Sequence, residues 1–126
     1  MTGFRSSLFS ALFLALLLLS PLAALAETSP PDAEEQIDKG LKDFGYQAGL
    51  SRGCVANEQA GDLEREVLDL HGNLGRLLGT DRAFLFAAAF GYGSSVLTPV
   101  EECKAVLEGF EARVKSFRSE AAGGRP

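Results

Sequence analysis

In three stretches of this chain apolar residues recur at steps of three and four, and that spacing suits an α-helix and little else. Leu63, Val67, Leu70, Leu74 and Leu77 line one face of a stretch whose other face carries Glu64, Arg65, Glu66, Asp69 and Arg76. Cys103, Leu107, Phe110, Val114 and Phe117 repeat the pattern toward the C-terminus. Ile37, Leu41, Phe44 and Ala48, extending to Val55, show it a third time. Each stripe has to be buried against another element, so the expected fold is all-α: a small four-helix bundle-like domain over residues 32–120.

Local signals place the helix ends. Asp32 can cap a first helix over about 33–57, with Glu34, Glu35 and Asp38 in its first turns, where negative charge suits the helix dipole. Gln59, Ala60 and Gly61 read as a turn and Asp62 as the next cap, with Gly79 closing that helix in a left-handed conformation. Thr80 or Asp81 is the expected cap of a third helix that is apolar on every face over 83–90; no charge occurs between Arg82 and Glu101. An element apolar all round belongs in the centre of a bundle or in a membrane, and because 83–97 is short for a membrane span the expectation is a central, buried third helix that breaks near 91–95. Before the fourth helix, Thr98-Pro99-Val100-Glu101 combines a capping threonine, a proline at the first helical position and a glutamate able to reach back.

The front of the chain has a different character. Arg5 precedes a run over 8–19 that is apolar except for Ser10, then come Ser20-Pro21 and Ala24-Leu25-Ala26. A basic start, a short apolar core and small residues three and one before a cut describe a signal peptide, 1–26, cleaved after Ala26. The run is shorter than the ~20 residues a spanning helix needs. Residues 27–31 are then a flexible lead and 121–126 a disordered tail. Arg5 is the only charge removed with 1–26, so of 12 basic and 17 acidic side chains 11 and 17 remain, a formal charge of −6. That balance disfavours nucleic acid, which basic patches bind, and disfavours anionic lipid surfaces.

Export gives the two cysteines their meaning. In an oxidising compartment, periplasmic or extracellular, Cys54 and Cys103 form an even pair and read as a disulfide. A domain of this size buries a core with little margin, and such a clip helps it. Neither C-x-x-C nor C-x-x-C-H occurs, which argues against a thioredoxin-like role and excludes covalently attached haem.

Two further patterns stand out. Gly45, Gly49 and Gly53 form a ladder that leaves one helix face bare, suited to close packing by another helix or by a second copy in a homodimer. The tripeptide Phe44-Gly45-Tyr46 returns as Phe90-Gly91-Tyr92. The tyrosines, each beside apolar sequence, combine an apolar ring with a polar tip. Together with Phe84 and Phe90, Tyr46 and Tyr92 are the candidate ligand or partner contacts.

No catalytic constellation is visible. His71 is the only histidine, and positions 67, 68, 74 and 75, its helical neighbours, hold no acid or second histidine, so a helix-borne metal pair is missing. The one serine in a G-x-S-x-G string, Ser51 of Gly49-Leu50-Ser51-Arg52-Gly53, lies inside the expected first helix rather than after a strand, and the glycines at 91 and 93 lack the strand and lysine of a phosphate loop. The acidic pairs, such as Glu34-Glu35 and Glu101-Glu102, are explained by helix starts and solubility. The expectation is an exported module without catalytic activity, cofactor or metal, binding a protein partner or an apolar small molecule. A membrane-associated protein using 83–97 and the glycine ladder, or a small enzyme, are the alternatives.

The plan as a whole resembles that of the small periplasmic acid-stress chaperones of the HdeA type. The local likeness is Thr98-Pro99-Val100-Glu101-Glu102-Cys103 followed by Phe110, Val114-Lys115 and Phe117. Two departures accompany it. Cys54 falls near the end of a helix where that family's first cysteine opens one, and the Ala/Phe helix and glycine ladder have no counterpart there. The resemblance implies client binding by an apolar surface, with acid loosening the packing around Phe84, Phe86 and Phe90.

Overall fold

The computed structural model describes residues 32–123, and the signal-peptide segment 1–26, the lead 27–31 and residues 124–126 lie outside it. Four helices follow one another: α1 (Ala33–Cys54), α2 (Asn57–Leu78), α3 (Thr80–Ser94) and α4 (Val100–Gly123). The domain is an all-α bundle closed by a disulfide between Cys54, the last residue of α1, and Cys103, in the first turn of α4. Their Cα atoms are 5.2 Å apart, within the range a disulfide spans without displacing backbone.

The hub of the bundle is α1. It alone packs against each of the other three helices, most extensively against α3. Leu41, Phe44 and Ala48 carry its buried stripe, and Phe44 is the aromatic centre. Its ring meets Phe86 of α3 edge-on at 5.3 Å, and Phe110 and Phe117 of α4 at 6.1 and 6.3 Å. Leu63, Val67, Leu70 and Leu74 of α2, Ala83 of α3 and Val114 of α4 complete the core. Ser51 is fully buried in this apolar setting; its hydroxyl donates to the Gln47 carbonyl at 2.9 Å, so no polar group is left unpaired there.

Glycine permits the α1–α3 contact. A Cβ on Gly45 would lie 2.9 Å from the Phe86 carbonyl carbon and nearer still to its oxygen. One on Gly49 would lie 2.6 Å from the Ser94 amide nitrogen, and one on Gly93 3.1 Å from the Gly49 Cα. Backbone therefore rests on backbone. The third rung of the ladder, Gly53, has open space where a Cβ would go, so only two rungs belong to the crossing. Ion pairs between helices frame the core: Arg82 to Asp38 at 3.0 Å, Arg52 to Glu64 at 2.6 Å and Arg118 to Glu66 at 3.0 Å. All are partly exposed, and each contributes at most about 1 kcal/mol.

Several expected boundaries move. The first helix stops at Cys54 rather than near residue 57, and α2 begins at Asn57, ahead of the turn expected over 59–61. Burial of Ala60 against the core outweighs the cost of a helical Gly61, and the Asp62 carboxylate bonds Arg65 instead of capping. α2 and α3 are separated by Gly79 alone, so neither Thr80 nor Asp81 caps α3. Gly79 adopts φ +95° and ψ 163°, a positive-φ extended conformation that only glycine takes readily, rather than the left-handed helical one expected. α3 ends at Ser94, within the stretch 91–95 where a break was expected; it stays helical through the glycines at 91 and 93, and Gly93 sits in the crossing with α1. α4 runs to Gly123, three residues into the expected tail; alanines at 121 and 122 favour helix.

The expectation of a central α3 needs the largest correction. α3 packs on α1 and α2 but not on α4, so the hub is α1 rather than α3. Phe86 is fully buried, yet Phe84 and Tyr92 are about two-thirds exposed. Hydropathy alone misleads here because alanine and glycine supply much of the apolar count without requiring burial.

The start of α4 departs from the expected capping box. The Pro99 carbonyl accepts from the Glu102 amide at 3.0 Å, but the buried Thr98 hydroxyl has no hydrogen-bond partner. Thr98→Val keeps the shape and removes an uncompensated hydroxyl, so it is expected to stabilise the domain by about 1 kcal/mol. A urea titration reads this as a higher midpoint at unchanged slope. A fall of similar size would instead reveal a working cap.

Candidate functional site

The four candidate contact residues separate into three places. Tyr46 and Tyr92 come together: their rings stack with centroids 5.7 Å apart and planes 26° from parallel. Tyr46 is half-buried and Tyr92 exposed, so the pair forms a ridge on the α1–α3 seam. Phe84 lies apart, in a hollow with Asp38, Leu78 and Arg82. Phe90 is half-buried in a cleft with Arg52, Gly53, Glu64 and Ser94. The repeated tripeptide thus does not have equivalent surroundings: Phe44 is the aromatic hub and Phe90 a flank, and a Cβ on Gly45 would strike α3 whereas one on Gly91 would meet nothing within 4 Å.

The most substantial opening is elsewhere. The N-terminal half of α1, the end of α2 and the C-terminal half of α4 diverge and leave an open groove of about 930 Å³, near the top of the roughly 300–1,000 Å³ range of ligand clefts. Leu41, Phe44, Leu74 and Phe117 form its floor, and Ile37 and Leu77 its walls. Ile37 and Leu77 were expected in the core, as the ends of their stripes. Both are exposed instead, because the helices splay where they would have met.

Charged groups sit on the rim: Arg76, Arg113 and Glu120. The Arg113 guanidinium lies 5.8 Å from the centroid of the Phe44 ring, a cation–π contact that holds it over the apolar floor. Arg76 donates to the Asn73 side chain. Glu120 accepts from Ser116 at 3.3 Å. Next to the groove, the hydrogen bond from Lys39 to Asp43, 2.8 Å long, holds the Asp43 carboxyl below the ordinary carboxylate range. Slight burial opposes that shift, while the charges of Lys39 and Arg113 reinforce it.

Sequence reasoning missed this groove. The available sign was the apolar pair Leu77-Leu78 placed just before Gly79, at a helix end where no further core is due. His71 is half-buried on α2. Among the described residues no three His, Cys, Asp or Glu side chains are grouped to hold a metal ion, and no helix is long and apolar enough to cross a membrane.

Fold and site define a class: a disulfide-clipped four-helix domain with an apolar groove at one end, and the disulfide points to a compartment other than the reducing cytosol. Compared with protein-family models, curated proteins and solved structures, the chain matches none.

Proposed function

We propose that this protein is an exported, non-enzymatic helical module that takes an apolar ligand into the groove between α1, α2 and α4. The observation that carries the reading is the groove itself, whose floor of Leu41, Phe44, Leu74 and Phe117 continues the core outward to solvent. Export, with cleavage after Ala26 and release to a periplasm or the cell exterior, is supported by the signal-like pattern of 1–26 and by the disulfide. A second reading, docking of a partner protein on α3, draws on the exposure of Phe84 and Tyr92 together with Leu97 and Val100 beyond it.

Native mass spectrometry of the exported chain, purified without reductant, tests the first reading. The expected spectrum shows the oxidised chain starting at Glu27 with a retained small molecule, or a ligand-free chain that binds one equivalent of an apolar dye. A ligand-free chain that leaves the dye in water would overturn it and shift attention to the α3 face.

A further inference from the structure

The described residues include six arginines, at 52, 65, 76, 82, 113 and 118. Four of them, Arg52, Arg65, Arg82 and Arg118, pair with a carboxylate of the chain. The two that form no ion pair among the described residues, Arg76 and Arg113, both line the apolar groove. In a chain with a net charge of −5 and acids to spare, two uncompensated arginines at one opening make a local positive rim on an acidic surface. Their own contacts are weak competitors: Arg76 bonds a neutral amide, and Arg113 rests on the Phe44 ring with Asp43 acting on it only through space.

We propose that the groove binds a long-chain carboxylate of the fatty-acid class, its alkyl chain on Leu41, Phe44, Leu74 and Phe117 and its headgroup at Arg76 and Arg113. This rests on the reading of the groove as an apolar-ligand site and adds the chemistry of the ligand. Guanidinium groups suit it because their planar fork matches a carboxylate in two parallel hydrogen bonds. Glu120, the one acid on the rim, is turned to Ser116 and sets the limit on how many negative charges the opening accepts. A single carboxylate is therefore favoured over a doubly charged phosphate headgroup.

Gly40 provides the blocking variant. It lines the groove, and a Cβ added there has nothing within 4 Å. Gly40→Leu puts a side chain into the ligand's space while raising helix propensity in α1, so it is expected to fold at least as well as the parent and to lose binding. Arg76→Gln/Arg113→Gln alters exposed side chains, and of the contacts to the core it removes only that of Arg113 over the Phe44 ring.

The probes are cis-parinarate, a fluorescent C18 carboxylate, and its uncharged methyl ester, titrated into the oxidised chain, with an apolar dye as a third arm. The acid is expected to bind about tenfold more tightly than the ester, the double glutamine variant to erase that difference, and Gly40→Leu to abolish binding of both. Equal binding of acid and ester in the parent chain, or an acid preference that survives the double glutamine change, overturns the headgroup assignment and leaves the apolar groove standing. Dye bound while both acid and ester are refused has the same meaning. Failure of all three probes sinks the groove reading along with it.

Discussion

Replacing Cys54 and Cys103 together by serine is expected to lower the free energy of unfolding by about 4 kcal/mol, the loop-closure value for a bridge spanning 49 positions. That is a large share of the total for a domain of this size, since stabilities run from about 5 to 15 kcal/mol. The effect should also be uneven. The loop closed by the bridge contains all of α2 and α3, and the bridge ties the end of α1 to the start of α4. α4 is the helix with least of its own to hold it: only Phe110 and Val114 are buried, helped by half-buried Phe117 and the Arg118–Glu66 pair. Amide exchange in the double-serine chain should therefore lose protection in α4 first, while the α1–α3 crossing keeps its own. A urea titration of the oxidised and serine chains measures the total. A loss below about 1 kcal/mol would mean that helix packing, not the bridge, docks α4. A loss near the expected value makes the domain poorly suited to a reducing compartment, where the thiols would stay apart.

How much of this was legible beforehand depended on whether the determining contact was local. The α2 stripe was, because Leu63, Val67, Leu70 and Leu74 mark a face by spacing alone. The pairing of Cys54 with Cys103 was legible too, since two cysteines in an oxidising compartment have one partner each. The start of α2 was not: nothing near Asn57 caps it, and burial of Ala60, a tertiary effect, decides. The hub was misplaced for a related reason. α3 has the more apolar sequence, but α1 has glycines where another backbone must approach, and close approach makes a hub more surely than hydropathy does. The groove lay furthest from view. Ile37, Leu77 and Phe117 each complete a regular stripe, and only the splaying of three helix ends turns them from core into lining.

Gly49→Ala shows how far the α1–α3 crossing overrides local preference. In an isolated helix this change is favourable by about 1 kcal/mol. Here the new methyl carbon would stand 2.6 Å from the Ser94 amide nitrogen and 2.8 Å from the Gly93 carbonyl carbon, with the Phe90 carbonyl oxygen closer than either. All three are backbone atoms of a packed helix, so no rotamer change relieves the overlap and the two helices must separate. Separation opens space around Phe44 and Phe86, whose edge-on contact at 5.3 Å lies along the same seam. A net loss of about 3 kcal/mol is expected, at the upper end of overpacking costs because the obstacle is rigid. Gly53→Ala, one rung further along the same helix, meets nothing within 4 Å and is expected to stabilise by about 0.5–1 kcal/mol. Opposite signs four residues apart are the test, read as thermal or urea midpoints of the two single variants. Gly93→Ala should resemble Gly49→Ala, because its Cβ would meet the Tyr46 backbone. The double variant should cost less than the two losses added, since helices already pushed apart by one methyl have room for the next. Full additivity, or a stabilising Gly49→Ala, would mean that α1 and α3 do not rest backbone on backbone.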